Sequence, residues 1–348
     1  MTAGPIEDAF HDRAAEHDPV AEHDRALERV RRTIERLAPG WGLPSGAARA
    51  TLISVSENAT FRLDDGERPA LAVRHYRPGY HSEEEMRSEL AWVSALARGG
   101  VVRTPPPVAH NGDPLVSHAH PPDRPPAHLA AFGFVPGAEP EPDVATFKEI
   151  GALTARLHRH ARRWQRPTDF VRKSWTFETT LGERPHWGRW QDAAFEEAER
   201  SVVAQTVERL RERLRRYGSG ADRFGLIHAD LRAANLVRGS EGALHLIDFD
   251  DCGFGWFAYD FAASVSFVET NPALALWRNS WLEGYRTIRR FGGEHETMLA
   301  DMVMLRRILL TAWLASRPEA DPAAAFGNRF PTGTAELAEH YLRTGTVF

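Results

Sequence analysis

The chain has 348 residues, 42% of them hydrophobic and 26% charged, with a formal net charge of −5 at pH 7 and a single cysteine, Cys252. That composition belongs to a soluble globular protein with apolar material for one large or two modest cores, and the mildly acidic balance argues against nucleic acid as the main partner. One cysteine excludes an intrachain disulfide, no apolar run approaches the roughly 18 residues of a spanning helix, and no apolar N-terminal signal region is present, so a cytoplasmic protein with no membrane partner is expected.

Residues 1–24, rich in Asp, Glu, His and Ala, read as a mobile tail. Leu27, Val30, Ile34 and Leu37 then recur at helical spacing and place one apolar face on a helix ending near Pro39-Gly40. "TLISVS", "ATFRL" and "ALAVRHY", rich in β-branched and aromatic residues, predict three antiparallel strands. From Ser82 to Leu96 the period returns to helical, with Ser82 as N-cap and Met86, Leu90, Val93 and Leu96 on one face. Between Pro105 and Pro126 eight prolines leave loop or edge strand as the only options. "LAAFGFVPGAEPEPD" is a strand-like run stopped by Pro136-Gly137, which reads as a hinge between a lobe at 25–135 and a second lobe at 136–348. Helical faces dominate the second lobe: Phe147, Ile150, Leu153 and Leu157; a charged stretch from Arg189 to Arg216; and Met298, Met302, Leu305, Leu309 and Trp313.

Within that lobe, "GLIHADLRAANLVRGSEGALHLIDFDD" (225–251) sets a His, an Asn and several Asp among short apolar runs. The runs "LV" and "ALHLI" around the turn "RGSEG" predict a hairpin. Asp230 and Asn235 fall on the loop before it, and Asp248 ends its second strand, so the three can converge. Phosphoryl transfer needs such a set: a carboxylate to orient and deprotonate a hydroxyl, and oxygen ligands that hold a divalent cation on nucleotide phosphates. The bland rival is a polar turn with a strand-end cap. A metal-dependent hydrolase would need further His or Asp ligands and leaves Asn235 without a role, and His118 and His120 lack the spacing of a zinc site.

"HADLRAAN" matches the kinase catalytic loop H-x-D-x-x-x-x-N, and "IDFDD" stands where D-F-G is found. With Ala229 where protein kinases carry Arg, the chain resembles the aminoglycoside phosphotransferase and choline kinase family of small-molecule kinases. Over about residues 25–345 it resembles the bacterial homoserine kinase-like and stress-response kinase-like subgroup. The resemblance implies an α+β, protein-kinase-like two-lobed fold with an antiparallel sheet plus helix in the N-lobe and a mainly helical C-lobe. It implies ATP and Mg2+ as cofactors, Asp230 as base with Arg232 beside the moving phosphoryl, and Asn235, Asp248 and Asp250 as metal ligands. His228 and Asp260 would support the loop. Arg74 paired with Glu89 would grip the phosphates where most kinases use Lys, Ser56 and Asn58 would cover them, and Phe134 and Val135 of the hinge would line the nucleotide. The expected acceptor is a small hydroxyl compound bearing an amine, such as an amino alcohol, a hydroxy amino acid or an aminoglycoside-like antibiotic. The alternatives are a Ser/Thr protein kinase of the stress-response type and a nucleotide-binding pseudokinase. No nucleic acid partner is expected, and the chain would be a monomer or homodimer.

Overall fold

A computed structural model describes residues 19–55, 58–118, 126–317, 325–327 and 329–348. Its first helix, α1 (Pro19–Leu37), begins inside the stretch read as a tail, and residues 1–18 lie outside the described residues. Val30 and Ile34 bury against an antiparallel sheet, as their spacing requires. The strands are β1 (Arg49–Val55), β2 (Ala59–Asp64) and β3 (Leu71–His75), then, after α2 (Glu83–Arg98), β4 (Pro107–Val108), β5 (Val116–His118) and β6 (Ala127–Gly133). Their order is β1-β2-β3-β6-β4, with β5 also on β6. The proline-rich stretch supplies only β4 and β5, because each proline removes a ladder donor.

Two features of this lobe aim side chains at the cleft. Strand alternation puts Phe61, Leu63 and Val73 in the core under α1 and turns Arg74 and Tyr76 to the opposite face, over α2. The capping box of α2 is complete: Ser82 Oγ accepts from the Glu85 N–H at 3.2 Å, and Glu85 Oε2 accepts from the Ser82 N–H at 3.0 Å. One core cluster runs from Trp92, Val93 and Leu96 of α2 into the second lobe, so α2 is packed into both halves.

The second lobe contains α3 (Val144–Ala161), β7 (Ser174–Trp175), α4 (Phe177–Thr180), α5 (Glu197–Tyr217), β8 (Phe224–Ile227), the hairpin β9 (Leu236–Arg238) and β10 (Leu244–Leu246), and β11 (Gly253–Trp256). It continues through α6 (Tyr259–Ser264), α7 (Leu274–Arg286), α8 (Gly293–Thr297), α9 (Leu299–Ser316) and α10 (Arg329–Thr344). The fold is thus α+β, with an antiparallel sheet first and a mostly helical remainder. Two boundaries differ from the periodicity. The charged helix starts at Glu197 rather than Arg189, because Glu196 is extended and forms a capping box with Glu199, while Trp190 and Phe195 bury in the turns before it. α9 has no solvent face: every residue from Leu299 to Leu314 is buried, Asp301, Arg306 and Arg307 included. Among the described residues no helix is long and apolar enough to cross a membrane.

α3 and α7 touch backbone to backbone. A Cβ on Gly151 would lie 2.0 Å from the Trp281 carbonyl oxygen, and one on Gly284 1.9 Å from that of Lys148. Alanine improves intrinsic helix propensity by about 1 kcal/mol, but overpacking costs about 1–3 kcal/mol or more. Gly151→Ala is therefore expected to lower stability by about 1–3 kcal/mol in urea unfolding; an unchanged or higher midpoint would mean the helices can separate freely.

Candidate active site

The loop after β8 turns through Ala229, whose φ of 66° is left-handed and strained for a residue with a Cβ. The fully buried carboxylate of Asp260, at the start of α6, holds that turn, accepting the N–H of Ala229 at 2.7 Å and of His228 at 3.2 Å. Behind it His158 on α3 donates from Nε2 to Asp260 at 2.9 Å, while its Nδ1 accepts from the Tyr285 hydroxyl at 2.9 Å. Burial outweighs the neighbouring carboxylate and holds the His158 pKa below the ordinary histidine value, so it stands as a neutral donor. His228 is likewise depressed by burial; its Nδ1 accepts the Asp230 N–H at 3.3 Å, and its ring lies against Phe249.

Asp230 projects from this support. Its Oδ2 accepts from Asn235 Nδ2 at 2.8 Å and from Arg232 Nε at 3.2 Å, and its Oδ1 accepts from Arg306 Nη2 at 2.5 Å. Arg306 also donates to the Ala229 carbonyl, the Tyr259 hydroxyl and Ser266 Oγ. It reaches the site from the buried helix α9, 76 positions away in the chain.

The other wall is ionic and joins the lobes. Arg74 Nη1 lies 2.6 Å from Glu89 Oε1, and Nη2 donates to Asp248 Oδ1 at 2.9 Å. Glu89 also accepts from the Tyr76 hydroxyl at 3.1 Å. Arg74 and Glu89 are 7% and 0% exposed, so theirs is no surface ion pair. Asp248 does not end the hairpin: β10 stops at Leu246, and Asp248 lies beyond it at φ 59°, left-handed like Ala229. Its side chain is 40% exposed, whereas that of Asp250 is 7% exposed and faces inward, 3.2 Å from His81 Nε2 and 3.8 Å from Arg74. Burial alone would raise the Asp250 pKa, but His81, Arg74 and Arg172 hold it well below the carboxylate range. Burial pushes Asp251 up to about 7, with Asp230 and Asp250 adding to the rise.

The loop and hairpin thus bring Asp230, Asn235 and Asp248 to one cleft with Arg74. Arg232 lines its outer side, and Asp250 sits deeper. Asn58 is buried, and its Oδ1 accepts the Arg77 N–H at 3.0 Å. At the hinge Arg62 lies 5.0 Å over the Phe134 ring, and Val135 is half-buried. Ser56 lies outside the described residues, as does His120. Sequence reasoning missed Arg306, His158 and His81. For Arg306 a signal existed in "MVMLRRILLTAW", where two arginines interrupt an apolar run too continuous to have a wet face.

Residues 49–297 match the family model described as "Phosphotransferase enzyme family". Among solved structures, a microcompartment-associated aminopropanol kinase is 40% identical with a TM-score of 0.82, covering 90% of this chain and 97% of that one. An amicoumacin kinase in complex with AMP-PNP, Ca2+ and Ami is 21% identical with a TM-score of 0.68, over 82% of this chain and 88% of that one. Stress response kinase A of Salmonella choleraesuis (strain SC-B67) is 26% identical over 306 residues, 86% of this chain and 85% of the relative.

Removing one partner of a buried pair strands the other charge, at a cost of about 3–5 kcal/mol. Arg74→Met is accordingly expected to destabilise the fold by that order, and Arg74→Met/Glu89→Gln by clearly less than the sum of the single changes. Chemical denaturation of the four proteins completes the cycle; strict additivity would mean that the pair does not act as a unit.

Proposed function

The chain belongs to the phosphotransferase enzyme family, and on that premise we propose that it transfers the γ-phosphoryl group of ATP, with Mg2+, to a hydroxyl of a small amine-bearing acceptor. The observation that carries this reading is Asp230, tied to Asn235 at 2.8 Å on one oxygen and to Arg306 on the other, in the cleft that Asp248 shares with Arg74. Asp230 orients the acceptor hydroxyl and takes its proton as the hydroxyl oxygen bonds to the γ-phosphorus and the bond to the β-phosphate oxygen breaks. The contacts of Arg232 and Arg306 hold this carboxylate in one orientation, which suits a loose transition state in which positioning dominates. Arg74 would meet the α- and β-phosphates, and Glu89 fixes its rotamer. Asn58 braces the chain beside the phosphates, and Phe134 and Val135 face the base at the hinge.

The residues fit a hard divalent cation. Asn235 Nδ2 is engaged by Asp230, and among the described residues neither Asn235 Oδ1 nor Asp248 Oδ2 has a hydrogen-bond partner. Oxygen donors of this kind suit Mg2+, with Asp250 as a deeper candidate ligand. An ion held by these residues would neutralise the negative charge of the phosphates during transfer. A complex of the related amicoumacin kinase with AMP-PNP and Ca2+ supports nucleotide and divalent-ion use, and likeness to an aminopropanol kinase supports an amino alcohol acceptor. The stress response kinase relative keeps a protein acceptor as the second reading. Retention of Asp230, Asn235 and Asp248 argues against a pseudokinase.

An ADP-release screen with amino alcohols, hydroxy amino acids, aminoglycosides and a generic protein tests the reading; turnover of protein alone would replace it with the second. Asp230→Asn is expected to lower kcat by about 10²- to 10⁴-fold while ATP binding persists. Most of the activity surviving in that variant would remove Asp230 from the role of base. In calorimetry, Asp248→Ala should abolish the effect of magnesium on ATP affinity, and an unchanged effect would place the ion elsewhere.

A further inference from the structure

Most carboxylates around the cleft have a basic partner within 4 Å. Asp230 has Arg232 and Arg306; Asp248 has Arg74; Asp250 has Arg74 and His81; Glu89 has Arg74; Asp260 has His158; Glu269 has Arg307. Asp251 differs. Among the described residues its only side-chain hydrogen-bond partner is neutral, the Tyr80 hydroxyl, which donates to Oδ1 at 2.9 Å. Oδ2 has no hydrogen-bond partner among the described residues, yet it is not one of the sealed polar atoms of the interior, so it still meets solvent. Lys173 rests 3.4 Å over the Tyr80 ring and forms no ion pair within 4 Å among the described residues.

The surroundings of Asp251 are aromatic. The Tyr80 hydroxyl accepts from Trp187 Nε1 at 2.7 Å, and Trp175 Nε1 donates to the Asp251 carbonyl at 2.8 Å. Trp187 packs edge-on to Trp175 at 5.1 Å, and the Arg306 guanidinium that holds Asp230 lies 4.8 Å over the Trp187 ring. The same arginine therefore touches both the wall beside Asp251 and the carboxylate proposed to hold the acceptor hydroxyl. A carboxylate in an aromatic wall, with no basic group within 4 Å among the described residues and with one oxygen open, is complementary to an ammonium group that arrives with a ligand.

We propose that Asp251, walled by Tyr80 and Trp187, receives the ammonium group of the acceptor while Asp230 holds its hydroxyl, which makes Asp251 the residue that selects short amino alcohols over neutral alcohols. The proposal rests on the phosphotransfer reading above. It names a different residue from the metal and phosphate ligands, and its contacts are made by the acceptor alone.

The test compares 1-amino-2-propanol with 1,2-propanediol, of nearly equal size, as acceptors for the full chain with Mg-ATP. The wild type should prefer the amine, and Asp251→Asn, which keeps an acceptor for Tyr80, should cut the amine-over-diol ratio of kcat/KM by on the order of 10- to 100-fold with the KM for ATP within about twofold. Calorimetric titration of 1-amino-2-propanol into nucleotide-free protein should show binding that Asp251→Asn loses. An unchanged ratio in Asp251→Asn, or a loss of ATP affinity in its place, overturns the proposal. Wild-type turnover of amine and diol alike overturns it while leaving phosphotransfer standing, whereas a wild type that phosphorylates no small alcohol overturns both. Should Asp251→Asn not fold, Tyr80→Phe, which keeps the ring and deletes the bond that orients Asp251, is expected to lower the same ratio several-fold, and an unchanged ratio there counts against the proposal.

Discussion

One guanidinium organises the cleft. Arg74 cannot deprotonate, and it is buried, so the fold has to surround it with acids. Glu89 on α2 supplies one, and Asp248 and Asp250 from the other lobe supply the rest. Because desolvated charges lose more hydration than a single contact returns, the arrangement is stable only as a set. The relative placement of sheet, helix and hairpin follows from that requirement as much as from apolar packing. The rings of Tyr76 and Phe132, each about 5 Å from the Arg74 guanidinium, complete its enclosure.

The second constraint is backbone strain. Ala229 and Asp248 both sit in the left-handed region, one just before Asp230 and the other at the position proposed to hold the cation. Neither is glycine, so each conformation costs free energy that the surroundings offset. For Ala229 the offset is visible: two backbone bonds to Asp260, which His158 and Tyr285 hold from the far side. Asp230 is thus aimed by a relay that begins on α3 and α7, helices fixed against each other at two glycines.

Much of this was legible in the sequence wherever the chemistry is local. Asp230, Asn235 and Asp248 lie within 19 positions, and turn residues and short apolar runs suffice to bring them together. The pairing of Arg74 with Glu89, 15 residues apart, was legible only through the family resemblance, and the structure buries the pair. What was not legible depends on packing between distant elements. Arg306 meets Asp230 only because α9 runs through the middle of the lobe, and periodicity suggested a single apolar face for a helix that has no exposed one. Likewise nothing near His158 in sequence points to Asp260, 102 residues away. The start of α5 was misplaced because charge pattern alone cannot separate a helix from a turn that buries Trp190 and Phe195.

The burial of α9 has a consequence for how the protein can change. Backbone amides in a helix enclosed on every side open to solvent only through large-scale unfolding, so Arg306 belongs to the last part of the molecule to loosen. The orientation of Asp230 is therefore insulated from the breathing of the outer loops. Tyr80, by contrast, is only half-buried. On the proposed reading, a substitution at Tyr80 itself, which the Arg306 contacts do not include, could retune the choice of acceptor while the carboxylate proposed to take the proton stays in place.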